Sequence, residues 1–132
     1  MPYQAMTERM VKAVLNFHTT IIGHPTGRLL LILEPSTYDL EQLFQACKEN
    51  HVAVELNCQP ARLDLCDRHL QIAKSHGVLI AINPDAHSTR GFSFLDYGIT
   101  VARRAGLTTN DILNTRPLEE IKIWLSERKS RT

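Results

Sequence analysis

The stretch His51-Val-Ala-Val-Glu-Leu-Asn57 decides the fold, because it is the plainest buried strand in the sequence. Its apolar residues Val52, Ala53, Val54 and Leu56 form an almost continuous run, as expected of a strand with helices on both faces. The acidic and amide side chains at its end come directly before a turn. This stretch therefore predicts an α/β protein with polar residues at a strand end.

Similar units of strand, loop and helix lie on both sides of this stretch. The apolar segments Thr20–Gly23 and Val78–Ile82 predict two further strands. Apolar periodicity and helix-end signals predict the helices Ala5–Leu15, Leu40–Asn50, Asp67–His76 and Pro117–Arg128. Asp39 and Gly77 are the expected start and stop signals of the second and third helices.

Repetition of these units predicts parallel strands joined by crossover helices. Three such units are too few to close a barrel, so we expect one compact segment, residues 1–132, that forms part of a (βα) barrel. We also expect Phe92–Ala105 to form a short helix, a turn and another helix around Gly98, and the chain to fray after Glu127.

Composition excludes several classes of protein. The net charge of +1 gives no global basic field for nucleic acid. The cysteines Cys47, Cys58 and Cys66 lack metal or redox spacing, which favours reduced, buried thiols. We expect no secretion signal, because the first residues lack a basic region and an apolar core, and the longest apolar run, Leu29–Leu33, is too short to span a membrane. We therefore expect a soluble, cytoplasmic protein.

The loops that follow the three predicted strands carry all the chemical candidates. They contain His24, then Glu55 and Asn57, then Asp85 and His87. In parallel α/β folds the carboxyl ends of the strands meet at one edge, where functional residues collect. A carboxylate and an imidazole two residues apart can bind one ion, and a mixed nitrogen and oxygen set favours Zn²⁺, Mn²⁺ or Fe over Mg²⁺.

Structural roles are the alternative for each candidate. A histidine before proline is usually a turn residue. Asp85 is also a suitable cap for a helix that begins at Ala86. Glu55 is able to pair with an arginine such as Arg62. From the residues alone, a metal site and a purely structural arrangement are about equally well supported.

Six ordered strings resemble the C-terminal part of the PHP (polymerase and histidinol phosphatase) domain of bacterial and archaeal family-X DNA polymerases. The likeness runs from about Met6 to Leu125. The strings are Ile22-Gly-His-Pro-Thr-Gly-Arg-Leu-Leu30, Val54-Glu-Leu-Asn57, Pro60-Ala-Arg-Leu-Asp-Leu65, Ile82-Asn-Pro-Asp-Ala-His-Ser88, Ala102-Arg-Arg104 and Asp111-Ile-Leu-Asn-Thr115.

This resemblance implies a PHP-type distorted TIM-like barrel that lacks its N-terminal strands, with divalent metal ions at the carboxyl ends of the strands. It implies that His24, Asp85 and His87 are metal ligands, and that Asp85 and His87 take part in catalysis. Zn²⁺ or Mn²⁺ are the expected ions, with Mg²⁺ or Fe as further candidates.

The resemblance also places four supporting residues near the ligands. These are Glu55, Asn57, Arg62 and Asp64. Arg28 is a candidate to face a substrate phosphate, although a salt bridge that closes its loop is the favoured role.

The sequence departs from this family in its ligand set. PHP sites begin with a His-x-His motif, which is absent here, and further His and Glu ligands are absent as well. Met1–Thr7 resembles the stretch just after another ligand histidine, so we expect the chain to begin past it. Pro84 stands where threonine is usual. We therefore expect weak metal binding and slow turnover by the isolated chain.

Three functions remain open. The first is a metal-dependent phosphoesterase module that acts as a 3′–5′ exonuclease or phosphatase at DNA ends in a parent polymerase. The second is a non-catalytic structural or interaction remnant, and the third is a stand-alone phosphatase for a small metabolite, of the histidinol-phosphatase type. The strings that contain Arg62 and Ala102 favour the polymerase module over the metabolite phosphatase. The missing His-x-His motif favours the non-catalytic remnant. Expected partners are DNA ends or a phosphorylated substrate, and self-association or docking onto the missing barrel half.

Overall fold

The computed structural model describes residues 1–129, and within them the chain is α/β. Its parallel sheet has the strand order β1-β2-β3. The strands are β1 (Ile21–Ile22), β2 (Ala53–Asn57) and β3 (Ile80–Asn83). Ile21 lies opposite Ala53, and Val54 lies opposite Ile80. The predicted α/β class is confirmed, and this three-stranded sheet is compatible with part of a barrel without closing one.

Five α-helices in the described part of the chain surround this sheet. They are α1 (Tyr3–Leu15), α2 (Leu40–Glu49), α3 (Asp67–Ser75), α4 (Leu95–Arg104) and α5 (Leu118–Lys129). The predicted helix ends are confirmed where a cap was recognised. The Asp39 side chain accepts a hydrogen bond from the Gln42 amide, and Gly77 takes a positive φ of 73° just after α3.

The sheet has two different faces, because side chains alternate along each strand. Val54, Leu56, Ile80 and Ile82 belong to the main core, which α1–α4 cover. On the other face, Ala53 and Ala81 form a small cluster with Leu113, against which Ile121 and Trp124 of α5 pack. Toward the carboxyl ends of the strands, this second face changes from alanine to polar residues.

The two edges of the sheet also differ. Beside β3, the Asn114 side chain accepts a hydrogen bond from Ile82 N (3.0 Å) and donates one to Ile82 O (2.6 Å). Ile80 also forms a parallel bridge with Ile112. Among the described residues β1 pairs with β2 alone, so its outer edge is open. Ile21 of β1 is 38% exposed.

The expectation of a turn at Gly98 is wrong. A 3-10 segment, Thr89–Phe94, continues directly into α4, and Gly98 lies inside that helix. A Cβ atom at Gly98 would come within 2.1 Å of Cys58 Sγ and 3.1 Å of Ile82 Cγ2. Glycine is therefore present because α4 packs closely on the sheet, and not because the chain bends.

The C-terminal end of the chain differs from the prediction too. Helix α5 continues past Glu127, and Arg128 is buried. The Arg128 guanidinium donates hydrogen bonds to the carbonyl oxygens of Val14, Asn16 and Asn50, which anchors α5 to the ends of α1 and α2. The rest of the expected frayed tail, residues 130–132, lies outside the described residues.

The three cysteines are unpaired, as expected, but only Cys47 and Cys58 are buried, whereas Cys66 is half-buried. None of the helices described is both long and apolar enough to cross a membrane.

We predict that Gly98→Ala lowers the free energy of unfolding by about 1 to 3 kcal/mol, because the added methyl group overlaps Cys58 Sγ. Urea unfolding of Gly98→Ala, Cys58→Ala and the double variant measures this. In the Cys58→Ala background the Gly98 substitution is expected to cost less. Equal costs in both backgrounds would contradict the proposed contact.

Candidate functional site

The candidate site begins with Glu55, whose side chain lies on the polar part of the second sheet face. Its Oε1 atom accepts hydrogen bonds from the backbone N–H of His24 (2.9 Å) and from Asn57 Nδ2 (3.0 Å). Its Oε2 atom accepts one from Asn83 Nδ2 (2.9 Å). One carboxylate thus joins the ends of all three strands.

Asn57 extends these contacts to Asp85, in the loop that follows β3. Its Nδ2 atom also donates to Asp85 Oδ2 (3.0 Å), and its Oδ1 atom accepts from the backbone N–H of Gln59 (3.0 Å). The side chain is buried, with 1% of Asn57 exposed. A buried amide with both ends bonded is expected to be fixed in orientation, so Asn57 fixes one oxygen of the Asp85 carboxylate.

Asp85 and His24 both have left-handed backbone conformations, with φ of 52° and 25°. Such conformations cost non-glycine residues about 1 to 3 kcal/mol and require support from the surroundings. For Asp85 that support includes a hydrogen bond from Gln59 Nε2 to its carbonyl oxygen (2.8 Å). His87 Nδ1 lies 2.8 Å from the same carbonyl oxygen.

The turn after His24 is fixed by Asp64, which is fully buried. Asp64 Oδ2 accepts hydrogen bonds from the backbone N–H groups of Thr26 and Gly27, both at 3.0 Å. Burial raises the pKa of the Asp64 carboxyl, although these donors and Arg28 act in the opposite direction. Asp64 therefore positions the histidine turn.

The two arginines of the predicted site bind each other's backbone. Arg28 Nε donates to Arg62 O (2.8 Å), and Arg28 Nη2 donates to Leu63 O. Arg62 Nη1 donates to Arg28 O (3.3 Å). Arg28 therefore closes its loop, but its hydrogen bonds go to carbonyl oxygens and not to a carboxylate.

Of the structural alternatives, the one for His24 is present, because the Gly27 N–H donates to His24 O (2.9 Å) and closes a turn. The alternatives for Asp85 and Glu55 are not. The 3-10 segment after Asp85 begins at Thr89 and has Ser88 as its cap residue, so Asp85 does not cap a helix there. The bonding partners of Glu55 are a backbone amide and two asparagines, and not Arg62.

The predicted metal ligands do not form a complete metal site. Within residues 1–129 there is no group of three or more His, Cys, Asp or Glu side chains that could bind a metal ion. His24 and His87 are exposed, and Asp85 is half-buried with one oxygen bonded to Asn57. The described residues thus contain no group of three ligand side chains around one point, and the role of His24, Asp85 and His87 as metal ligands stays a prediction.

Two residues of this network, Gln59 and Asn83, were absent from the sequence prediction. Asn83 is the last residue of β3 and alternates with Ile82, so strand periodicity would place it on the face of Glu55. Gln59 lies in the turn after β2, where no periodicity applies. Its contact with Asp85 spans 26 residues of sequence and gives no local signal.

The chain matches no family model, but its sequence is similar to those of several known proteins. It is 37% identical over 124 residues to the DNA polymerase/3′-5′ exonuclease PolX of Bacillus subtilis, a match covering 94% of this chain and 22% of the polymerase. This polymerase carries a PHP domain.

Over nearly its whole length the chain is therefore similar to the PHP-type region of a family-X DNA polymerase. The resemblance predicted from the six strings is thus confirmed. The chain also resembles two probable phosphatases, from Thermoanaerobacter sp. strain X514 (30% identity over 129 residues) and Vibrio parahaemolyticus (28% over 133). It spans about half of each phosphatase, 50% and 51%.

We predict that Asp64→Ala costs about 1 to 3 kcal/mol of unfolding free energy, because the buried Thr26 N–H and the half-buried Gly27 N–H lose their acceptor. Asp64→Asn retains an oxygen acceptor and is expected to cost less. Urea unfolding of wild type and both variants at one pH measures the two losses of unfolding free energy. Equal losses would show that the carboxylate oxygen does not support the turn.

Wild type and Asp64→Asn should also differ in how their stability depends on pH. Because burial raises the folded-state pKa of Asp64, the folded chain retains that proton to higher pH than the unfolded chain. The carboxyl's contribution to stability is full below the ordinary aspartate pKa and declines as the pH rises through the raised value. Wild type should therefore lose stability relative to Asp64→Asn from acidic toward neutral pH. A difference that is constant, or opposite in sign, would contradict the raised pKa.

Proposed function

We propose that the chain is a phosphoester-hydrolysing module. The observation that carries this proposal is that one stretch, nearly the whole chain, aligns both with a polymerase described as a 3′-5′ exonuclease and with probable phosphatases. Cleavage of a DNA strand and removal of a phosphate are both hydrolyses of a phosphate ester. The shared stretch is best explained by this shared chemistry.

Within a polymerase we propose that the module acts on DNA ends, as a 3′–5′ exonuclease or phosphatase, in the cytoplasm. The higher identity to the polymerase (37%) than to the Thermoanaerobacter phosphatase (30%) favours this over a stand-alone phosphatase for a small metabolite. The absence of a complete ligand group within the described residues supports a second candidate, a non-catalytic interaction remnant.

His24, Asp85 and His87 are the residues we propose for the reaction. Asp85 Oδ1, His87 Nε2 and the His24 imidazole have no hydrogen-bonding partner among the described residues, so these atoms are available to a ligand. Imidazoles can accept a proton from water or return one to a leaving oxygen. Glu55, Asn57, Arg62 and Asp64 position these groups, and we assign Arg28 to closing the loop.

We propose that a divalent metal ion takes part only when another polypeptide segment supplies further ligands. PHP-type relatives suggest divalent metals in general, and Zn²⁺ or Mn²⁺ suits the nitrogen and oxygen atoms available here. Because the described residues contain no group of three such ligand side chains, we infer that ligands from another polypeptide segment complete the set.

The open edge of β1 is the proposed attachment point for that segment. Asn114 covers the corresponding edge of β3, whereas no strand pairs with the outer edge of β1 within the described residues. Open edges with exposed apolar side chains favour pairing with another chain. We propose that a second copy, or the half of a PHP-type barrel that this chain does not match, pairs there.

We predict slow hydrolysis of a generic phosphodiester by the chain alone, and faster hydrolysis after refolding with the half of the Thermoanaerobacter phosphatase that the chain does not match. Asp85→Asn should abolish the gain, because it removes a carboxylate at the site. Asp96→Asn, an exposed aspartate of α4, is the matched control. Hydrolysis absent in every combination would contradict the phosphoesterase proposal and favour the interaction remnant.

We predict concentration-dependent self-association in light scattering at micromolar concentration. Ile21→Lys should weaken it, because a charge would be placed on the open β1 edge. Ile123→Lys on α5, at a residue with 58% exposure, should not. A monomer at all concentrations, or equal effects of the two variants, would contradict self-association through β1.

A further inference from the structure

Gln59 has the contacts of a residue that orients others. It is half-buried in the turn after β2. Its backbone N–H donates to Asn57 Oδ1 (3.0 Å), which fixes the start of the turn. Its side-chain Nε2 then reaches the other loop and donates to the Asp85 carbonyl oxygen (2.8 Å). Gln59 is therefore tied to β2 at one end and to the Asp85 backbone at the other.

The Asp85 carbonyl oxygen has two neighbours that can donate to it. One is Gln59 Nε2, and the other is His87 Nδ1, also at 2.8 Å. A carbonyl oxygen only accepts hydrogen bonds, so the contact with His87 is favourable only when Nδ1 carries the hydrogen. In the neutral ring the lone pair is then on Nε2. His87 is exposed, so Nε2 is accessible from the open side of the site.

We propose that Gln59 is a positioning residue that selects the tautomer of His87. By fixing the Asp85 carbonyl oxygen, Gln59 keeps an acceptor beside Nδ1 and leaves Nε2 as the nitrogen that faces a ligand. A divalent cation, or the proton of a water or phosphate group, is the class of ligand that a bare imidazole nitrogen accepts. The binding of a ligand by Nε2 rests on the proposed function, whereas the position of the hydrogen on Nδ1 does not.

Gln59 and Asn57 divide the positioning of Asp85 between them. Asn57 Nδ2 contacts the carboxylate of Asp85, and Gln59 Nε2 contacts its main chain. Asp85 has a φ of 52°, a conformation that few side chains favour, so its peptide group is expected to turn when a bond to it is lost. Loss of Gln59 should therefore affect the ring of His87, whereas loss of Asn57 should affect mainly the carboxylate.

The test is long-range ¹H–¹⁵N NMR of the full chain, labelled in histidine and free of metal, at about pH 8, where a histidine of ordinary pKa is neutral. Wild type should show His87 with hydrogen on Nδ1. Gln59→Leu and Gln59→Glu, which cannot donate to Asp85 O, should lower the fraction of His87 that carries its hydrogen on Nδ1. Gln71→Leu, at an exposed position of α3, is the matched control.

Each outcome decides the proposal. Wild-type His87 with hydrogen on Nε2 would overturn it, and so would a variant that folds and keeps the wild-type tautomer. If Gln59→Leu does not fold, the wild-type spectrum and the nearly isosteric Gln59→Glu still decide it. Because no activity is measured, failure here is distinct from failure of the phosphoesterase proposal, which the hydrolysis assay tests.

Discussion

The carboxylate of Glu55 is the group on which the candidate site depends. It accepts hydrogen bonds from the His24 backbone, the Asn57 side chain and the Asn83 side chain, which belong to the ends of three neighbouring strands. A half-buried carboxylate needs such donors, because an unpaired charge away from water is costly. In meeting this need, Glu55 fixes the relative positions of the loops that carry His24 and Asp85.

The sheet permits this arrangement because its two faces have different partners. Helices cover the face of Val54 and Leu56, and the close approach of α4 requires glycine at position 98. On the other face, small residues such as Ala53 lie beside α5, and polar residues replace them toward the strand ends. The candidate site therefore lies where the apolar covering of the sheet ends.

Much of the fold could be predicted, because its signals are local. The alternation and apolar runs of the strands, the cap at Asp39 and the glycine after α3 all depend on neighbouring residues. The placement of His24 and Asp85 at the same end of the sheet follows from the prediction of parallel strands alone. Gly98 was misinterpreted, since a helix that touches a sheet and a chain that bends both favour glycine.

The contacts within the site could not be predicted to the same degree. The bond between Glu55 and His24 spans 31 residues, and that between Asn57 and Asp85 spans 28. Sequence patterns do not specify such pairs. Gln59 has no periodic neighbours at all, and the pairing of Arg28 with backbone carbonyl groups uses atoms that every residue carries. Only the folded chain distinguishes these contacts from a salt bridge or a phosphate contact.

The most direct test of a site joined by Glu55 is amide hydrogen exchange in Glu55→Ala, with Glu49→Ala on the exposed side of α2 as control. We predict faster exchange at the His24 amide and altered amide shifts at Asp85 and His87, because both loops lose their common partner. The amides of Thr26 and Gly27, which Asp64 binds, should change less. Unchanged exchange at His24, or shifts confined to β2, would contradict the account.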